Sequence, residues 1–369
     1  MRIAFMDLIA WDYRVESAYQ IPLGGSQSSL CYLAEQLAGQ GHEVFLLNNT
    51  SSKGLSRGVM CLPLQQISRQ LLQSFDVVVE FNGTFVGRQI KPGLATKALL
   101  ILWTQHAHDQ PAVASLREPA VRSVYDYIIF ISEWQKHQYQ IQFNIDASRA
   151  TVLRNAVAPD FLNLFPGSTP VLPQKQQPPV LAYTSTPFRG LHILLDVFPE
   201  IRQAVPGTIL KVFSSMKVYN VAEADDPYCH LYKKCREAEG VAYIGSVPRA
   251  ELARGLSSAS ILAYPNTFPE TSCIAVMEAM AAGCQIVTSS MGALPETAAG
   301  FARLVPVDGD WSSYKERFFE ETVDILKGFL CPDTAEIEKH LKNQIIHVNN
   351  ACTWEAVSRQ WIWWLSSKA

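Results

Sequence analysis

Short apolar runs alternate with helix-period patterns along almost all of the 369 residues, and few folds accommodate that rhythm. In the first half it predicts strands at Arg2–Asp7, Glu43–Leu47, Asp76–Glu80, Ala98–Trp103, Tyr127–Ile131 and Thr151–Leu153. Between the first two, Ser26–Gln40 puts Leu30, Leu33, Ala34 and Leu37 on one helical face, and Gly39 and Gly41 punctuate its end. A strand–helix–strand order of this kind builds a mostly parallel sheet covered on both faces.

The rhythm breaks at Phe165-Pro166-Gly167-Ser168-Thr169-Pro170 and again at Pro173 through Pro179, where so many prolines suit neither helix nor strand. It restarts with predicted strands at Val180–Thr184, Ile209–Phe213, Val241–Ile244, Ile261–Tyr264, Gln285–Thr288 and Arg303–Val305, and helices at Leu191–Gln203, Ala250–Ser257 and Cys273–Ala282. A last helix, Thr353–Leu365, carries Trp354, Trp361, Trp363 and Trp364 and reads as docking on a core. The expected class is α/β: two doubly wound Rossmann-like domains, residues 1–165 and 180–352, facing a central cleft, with 166–179 as linker and 353–369 as a terminal helix. In such sheets ligands bind outside the carboxyl ends of the strands, so the loops after each strand are the places to look.

Composition narrows the function classes. Apolar residues at 48% against 18% charged give a chain able to bury a large core, and a net charge of −3 offers no electrostatic case for nucleic acid. No segment is long and apolar enough to span a bilayer, and Met1–Met6 reads as a first strand instead of a signal sequence. The eight cysteines form no C-x-x-C pair and no zinc spacing, so reduced thiols in a cytoplasmic protein are expected, with peripheral membrane contact left open. There is no G-x-G-x-x-G and no Walker A sequence, which counts against a dehydrogenase or an ATPase.

The segment from Tyr264 to Gly283 holds the strongest candidate chemistry. A strand ends at Tyr264, a loop follows, and a helix is expected to begin near Thr271, with Glu270 at its mouth and Glu278 two turns on, beside Ile274 and Ala281. Eight residues of helix would separate the carboxylates by roughly 12 Å, too far for a catalytic pair acting across one bond. The span suits the two hydroxylated ends of an extended ligand, and N–H groups around Thr271, Ser272, Cys273 and Ile274 would favour a diphosphate between them. Two further loops follow strands. Ser185 through Gly190 contains Arg189, a cation able to neutralise phosphate, and Thr104 through Gln110 contains His106 and His108. The histidines lack a third ligand for zinc, and Asp225-Asp226 reads as a helix cap, so no metal is expected. Gly24-Gly25 permits close backbone approach to phosphate or acceptor.

Glu270 through Glu278, followed by Ala279-Met280-Ala281-Ala282-Gly283 and later Gly292-Ala293-Leu294-Pro295-Glu296, resembles the E-x(7)-E signature of glycosyltransferase family 4, retaining enzymes of the GT-B fold. The likeness runs over nearly the whole chain. Gly24-Gly25 resembles the family's glycine loop, Gly41-His42-Glu43-Val44 its entry to the second strand, and Asp126 through Trp134 the stretch before the linker; the terminal tryptophan helix is similar to the one that crosses back to the first domain. The resemblance implies that Glu270 holds donor-sugar hydroxyls, Glu278 the ribose and Arg189 the diphosphate. It places His106, in preference to His108, near the donor sugar and Val247 of Gly245-Ser246-Val247-Pro248 at the base. Gly25, Ser185, Thr271, Ser272, Cys273 and Ile274 complete the expected donor site. The chain departs from the pattern in two places: Cys273 stands where the family often has glycine, and Thr184 stands where it has a second arginine for the diphosphate.

The expected activity is therefore sugar transfer from a nucleoside diphosphate sugar, a co-substrate with no separate cofactor, to a glycan, lipid-linked or small-molecule acceptor, with retention of configuration. Two alternatives stay open at this level: a sugar-nucleotide epimerase on the same architecture, and a non-catalytic nucleotide-sugar-binding relative, for which Thr184 is the best support.

Overall fold

The computed structural model describes residues 1–368. The chain forms two compact units. The first comprises Met1–Gln20, Gly24–Ala156 and the chain from Trp354 onward; the second comprises Ile21–Leu23 and Val157–Thr353.

The first unit is built on an eight-stranded sheet. Its strands are β1 (Arg2–Met6), β2 (Glu43–Asn48), β3 (Gly54–Ser56), β4 (Val59–Pro63), β5 (Val77–Phe81), β6 (Leu99–Trp103), β7 (Tyr127–Phe130) and β8 (Ala150–Val152). They lie in the order β3-β4-β2-β1-β5-β6-β7-β8, all parallel except β3. Each predicted strand forms, within a residue or two at its ends. The hairpin β3–β4 is additional. It turns on Arg57 and Gly58, both in the left-handed region (φ 50° and 82°), the conformation a two-residue hairpin turn needs. The helix Gly25–Gly39 buries Leu30, Leu33, Ala34 and Leu37 as its periodicity requires. The helix Trp354–Ser366 belongs to this unit: Trp361 packs edge-on against Trp103 at 5.2 Å and Phe5 at 6.3 Å, while Gln40 donates to Ser358.

The second unit holds a six-stranded, wholly parallel sheet. Its strands are β9 (Val180–Thr184), β10 (Ile209–Phe213), β11 (Val241–Tyr243), β12 (Ile261–Tyr264), β13 (Gln285–Ser289) and β14 (Ala302–Val305), in the order β11-β10-β9-β12-β13-β14. Val180 to Thr184 and Ile261 to Tyr264 are buried throughout, as central parallel strands must be. Two long helices that the periodicity reading does not include, Trp311–Phe329 and Ala335–Ala351, complete the unit.

The chain passes between the units at Ala156–Val157, ahead of the segment 166–179 expected as linker. That segment is fixed to the second unit. Val171 and Lys175 are buried, Val171 and Leu172 donate backbone N–H groups to Glu338, and Gln176 donates to the carbonyl of Ser258. Its prolines exclude regular structure without making it free, because side chains and loop carbonyls take up the backbone groups.

Candidate functional site

The order of the second sheet fixes where a ligand can enter. From β9 the chain winds outward through β10 and β11, then returns to the other side of β9 for β12, β13 and β14. The connections after β9 and β12 therefore leave in opposite directions, and a crevice opens at their carboxyl ends. Arg189 lies on the first of these connections and Glu270 on the second.

Three loops meet there at backbone contact. Gly190 has φ of 101°, and a Cβ at this position would lie 1.9 Å from the carbonyl oxygen of Pro265. Gly292, on the loop after β13, has φ of 62°, and a Cβ there would lie 2.4 Å from the Glu270 carbonyl oxygen. Ala293 donates its N–H to that same oxygen at 2.7 Å. Only glycine allows this closeness, so the two glycines set the position of Glu270.

These contacts also correct the expected helix. Residues 270–272 are held in the loop and Cys273 is the N-cap, extended at φ −101°, so the helix runs Ile274–Ala281 instead of starting near Thr271. Glu270 thus stands off the helix, and the 12 Å helical spacing does not apply to the pair. Cys273 is buried, donates its N–H to Thr297 at 3.4 Å, and its thiol is pushed up by burial, which keeps it protonated.

Glu270 is 2% exposed. Its Oε1 accepts from Arg189 Nη1 at 2.8 Å and from the Tyr264 hydroxyl at 2.6 Å, and Ser185 Oγ lies 3.3 Å from that hydroxyl. The Arg189 guanidinium lies over the rings of Phe268 at 4.9 Å and Phe188 at 5.4 Å. Burial works against its charge, but the Glu270 carboxylate and neighbouring Tyr264 outweigh it, and the guanidinium is held above its ordinary value. Arg189 Nε is buried without a hydrogen-bond partner among the described residues, as are the hydroxyls of Thr184, Thr186 and Ser214 at the ends of β9 and β10. Buried donors in this number without acceptors are costly, and an anion at the crevice would satisfy them.

Glu278 is 1% exposed on the helix Ile274–Ala281. Arg249 Nη1 reaches both its oxygens, at 3.1 and 2.8 Å. Burial raises the Glu278 carboxyl, and the Arg249 charge and a backbone bond from Ala158 oppose the rise. Arg249 opens the helix Arg249–Ser257, next to half-buried Val247. Neither Arg249 nor Tyr264 stands out in the sequence, since their roles depend on partners 29 and 6 residues away.

His106, His108 and Gly25 lie in the first unit. His106 follows β6. Its carbonyl accepts from Gln135 and Tyr139, its Nδ1 is buried and unpartnered among the described residues, and burial lowers its pKa, favouring the neutral ring. His108 Nδ1 is also buried without a partner there. Gly25 begins the helix Gly25–Gly39. Asp226 is not the helix cap expected: Tyr228 is the N-cap of the helix Cys229–Glu237, without a side-chain bond, and Asp226 instead accepts from the Tyr228 N–H and the Tyr232 hydroxyl. Among the described residues no group of three His, Cys, Asp or Glu could hold a metal, and no helix is long and apolar enough to cross a membrane.

Residues 178–318 match the family model described as glycosyl transferases group 1. No curated protein matches by sequence. Among solved structures, sucrose-phosphate synthase from Thermosynechococcus elongatus is 16% identical, with a TM-score of 0.72 over 99% of this chain and 98% of that one. A glycosyltransferase from Rickettsia africae is 12% identical, with a TM-score of 0.71 over 100% of this chain and 98% of that one. Anabaena HepE in complex with UDP-glucose is 16% identical, with a TM-score of 0.69 over the whole of both chains.

Proposed function

From a chain with the GT-B fold whose residues 178–318 match the glycosyl transferases group 1 family model, we propose a retaining glycosyltransferase that uses a nucleoside diphosphate sugar. One observation carries this reading: the loops after β9 and β12 bring together half-buried Arg189, whose Nε is buried and unpartnered, and buried Glu270, beside unpartnered hydroxyls of Thr184 and Thr186 at the end of β9 and of Ser214 at the end of the neighbouring β10. That set matches the charge pattern of a sugar diphosphate. Arg189 and the hydroxyls of Thr184, Thr186 and Ser214 face the diphosphate, and Glu270 accepts from the sugar hydroxyls. Glu278 accepts from the ribose, and Val247 lies against the base. Backbone N–H groups of Ser272 and Ile274, at the start of the helix Ile274–Ala281, support the phosphates, while the Cys273 N–H is turned to Thr297. For His106 and Gly25 in the first unit, donation to a sugar hydroxyl and close backbone approach rest on the family resemblance.

As the glycosidic bond breaks, negative charge collects on the leaving diphosphate. A guanidinium already fixed by Glu270 and two aromatic rings stabilises that charge without reorganising. No protein nucleophile is required, in keeping with transfer on the face the donor leaves. The HepE complex makes UDP-glucose the first donor to try. Calorimetry with UDP, ADP and GDP, followed by donor turnover with the sugars of the nucleotide that binds, tests the reading. One nucleoside diphosphate is expected to bind and its sugar to be consumed with an α-linked donor giving an α-linked product. Failure of all three to bind would overturn it.

A further inference from the structure

Glu278 poses a physical problem that its own helix does not solve. Its carboxylate is almost wholly buried, so burial alone drives it toward the neutral acid, and a neutral acid accepts fewer hydrogen bonds from vicinal hydroxyls. Among the described residues, Arg249 is the one side chain in contact with it that carries a compensating charge. Arg249 Nη1 bridges both carboxylate oxygens, and the Arg249 side chain is itself 17% exposed. The other groups acting on Glu278 are the backbone of Ala158, which favours the anion, and Asp160 of the turn Pro159–Phe161, whose negative charge disfavours it. From the helix Ala335–Ala351 that packs nearby, the side chain reaching this region is neutral Gln344, which donates to the carbonyls of Met280 and Cys284. A bridging contact of this kind fixes the plane of the carboxylate as well as its charge.

We propose that Arg249 is the positioning residue of the donor site, holding Glu278 ionised and oriented for the ribose from the first turn of the helix Arg249–Ser257. The proposal rests on the reading of Glu278 as the ribose-holding group. It ties that group to the loop Gly245–Pro248, because Arg249 directly follows Pro248. Formation of the bridge therefore sets the base-side loop and the ribose carboxylate together.

The test is calorimetric affinity for UDP, ADP and GDP across pH 5.5–8.5, read as the ratio of variant to wild type, which cancels the titration of the phosphates themselves. For whichever nucleotide binds, Arg249→Ala is expected to bind about 10–100-fold more weakly at neutral pH, and the deficit grows as pH falls. The sign follows from the carboxyl: with its cation removed, it protonates at a higher pH, and affinity is lost as pH drops through that value. Arg249→Lys should restore most of the affinity and the wild-type pH profile, because a single nitrogen makes the bridge and an ammonium can replace it. If Arg249→Ala does not fold, Arg249→Gln keeps a donor without the charge and should show the same pH-dependent deficit. A deficit constant with pH would overturn the proposal, placing Arg249 directly on the ligand. Wild-type affinity in Arg249→Ala or Arg249→Gln would overturn it as well. Glu278→Gln separates the two layers: if it binds like wild type, the ribose assignment itself fails, whereas loss in Glu278→Gln beside normal Arg249 variants removes only the positioning role.

Discussion

At the scale of single residues, Arg189 and Glu270 form one unit before any ligand is present. Removing Arg189 leaves Glu270 buried with its charge uncompensated, a change that typically costs about 3–5 kcal/mol, whereas Arg189 is partly exposed and removing Glu270 costs less. Variants must therefore be read against their melting temperature. With Thr184 in place of a second cation, Arg189→Ala is expected to lower turnover by a factor on the order of 100–1000, more than it raises the donor KM, in protein that still melts cooperatively. Near-normal turnover would mean that another basic residue holds the diphosphate. Glu270→Gln keeps the volume and one acceptor. It is expected to leave nucleoside diphosphate affinity within about threefold while turnover falls at least tenfold, since its proposed partner is the sugar. Equal loss of both in calorimetry and rate measurements would show that Glu270 acts by holding Arg189 in place, through the 2.8 Å contact, and not on the sugar.

At the scale of elements, the strands were legible because a parallel strand buried on both faces must be apolar throughout, and Val180–Thr184 and Ile261–Tyr264 are. The hairpin Gly54–Pro63 was not legible, because its signal is the conformation of Arg57 and Gly58, and neither residue alone marks a turn. The candidate carboxylates could be found by spacing, but the backbone that carries Glu270 could not. Gly292 and Ala293 pull residue 270 out of the helix from a different part of the chain. The segment 166–179 shows the same limit. Lys175 looks like a solvated linker residue, yet its ammonium is buried and donates to the carbonyls of Ser257 and Ala282 at 3.0 and 2.7 Å. Burial pushes its pKa down to about 8. Between that value and the usual lysine value of about 10.4, the unfolded chain binds more protons than the native one, so stability rises with pH over that window. Denaturant unfolding of wild type and Lys175→Met should accordingly diverge in favour of wild type by about 2–3 kcal/mol between pH 7.5 and 10.5. A difference that stays flat with pH would show that Lys175 titrates as an ordinary surface lysine.

At the scale of the whole molecule, the first unit is closed by residues from opposite ends of the chain. The strand β1 begins at Arg2, while the helix that covers Phe5 and Trp103 begins at Trp354. A tryptophan-rich terminal helix announces a core contact in the sequence, but its periodicity does not say which core, since the chain preceding it, Val157–Thr353, belongs to the other unit; only the family resemblance pointed to the first. Trp361 is the centre of that contact, 1% exposed and in edge-on packing with both Phe5 and Trp103. Trp361→Ala should destabilise the first unit by about 3–5 kcal/mol, the usual cost of emptying a large aromatic site. The location of the loss is the sharper expectation. Stability is distributed in cooperative units, so amide exchange should accelerate in β1, β6 and the helix Gly25–Gly39, whose residues pack in the same unit, and remain at wild-type rates in β9, β12 and β13. Saturating nucleoside diphosphate stabilises whatever binds it, by about 2.7 kcal/mol at one hundred times Kd, and on the proposed site that gain should appear in the exchange of β9 and β12. Protection regained in β1 and β6 of Trp361→Ala upon adding nucleotide would contradict this assignment, because it would place the nucleotide's stabilising contacts in the first unit instead of around Arg189 and Glu278.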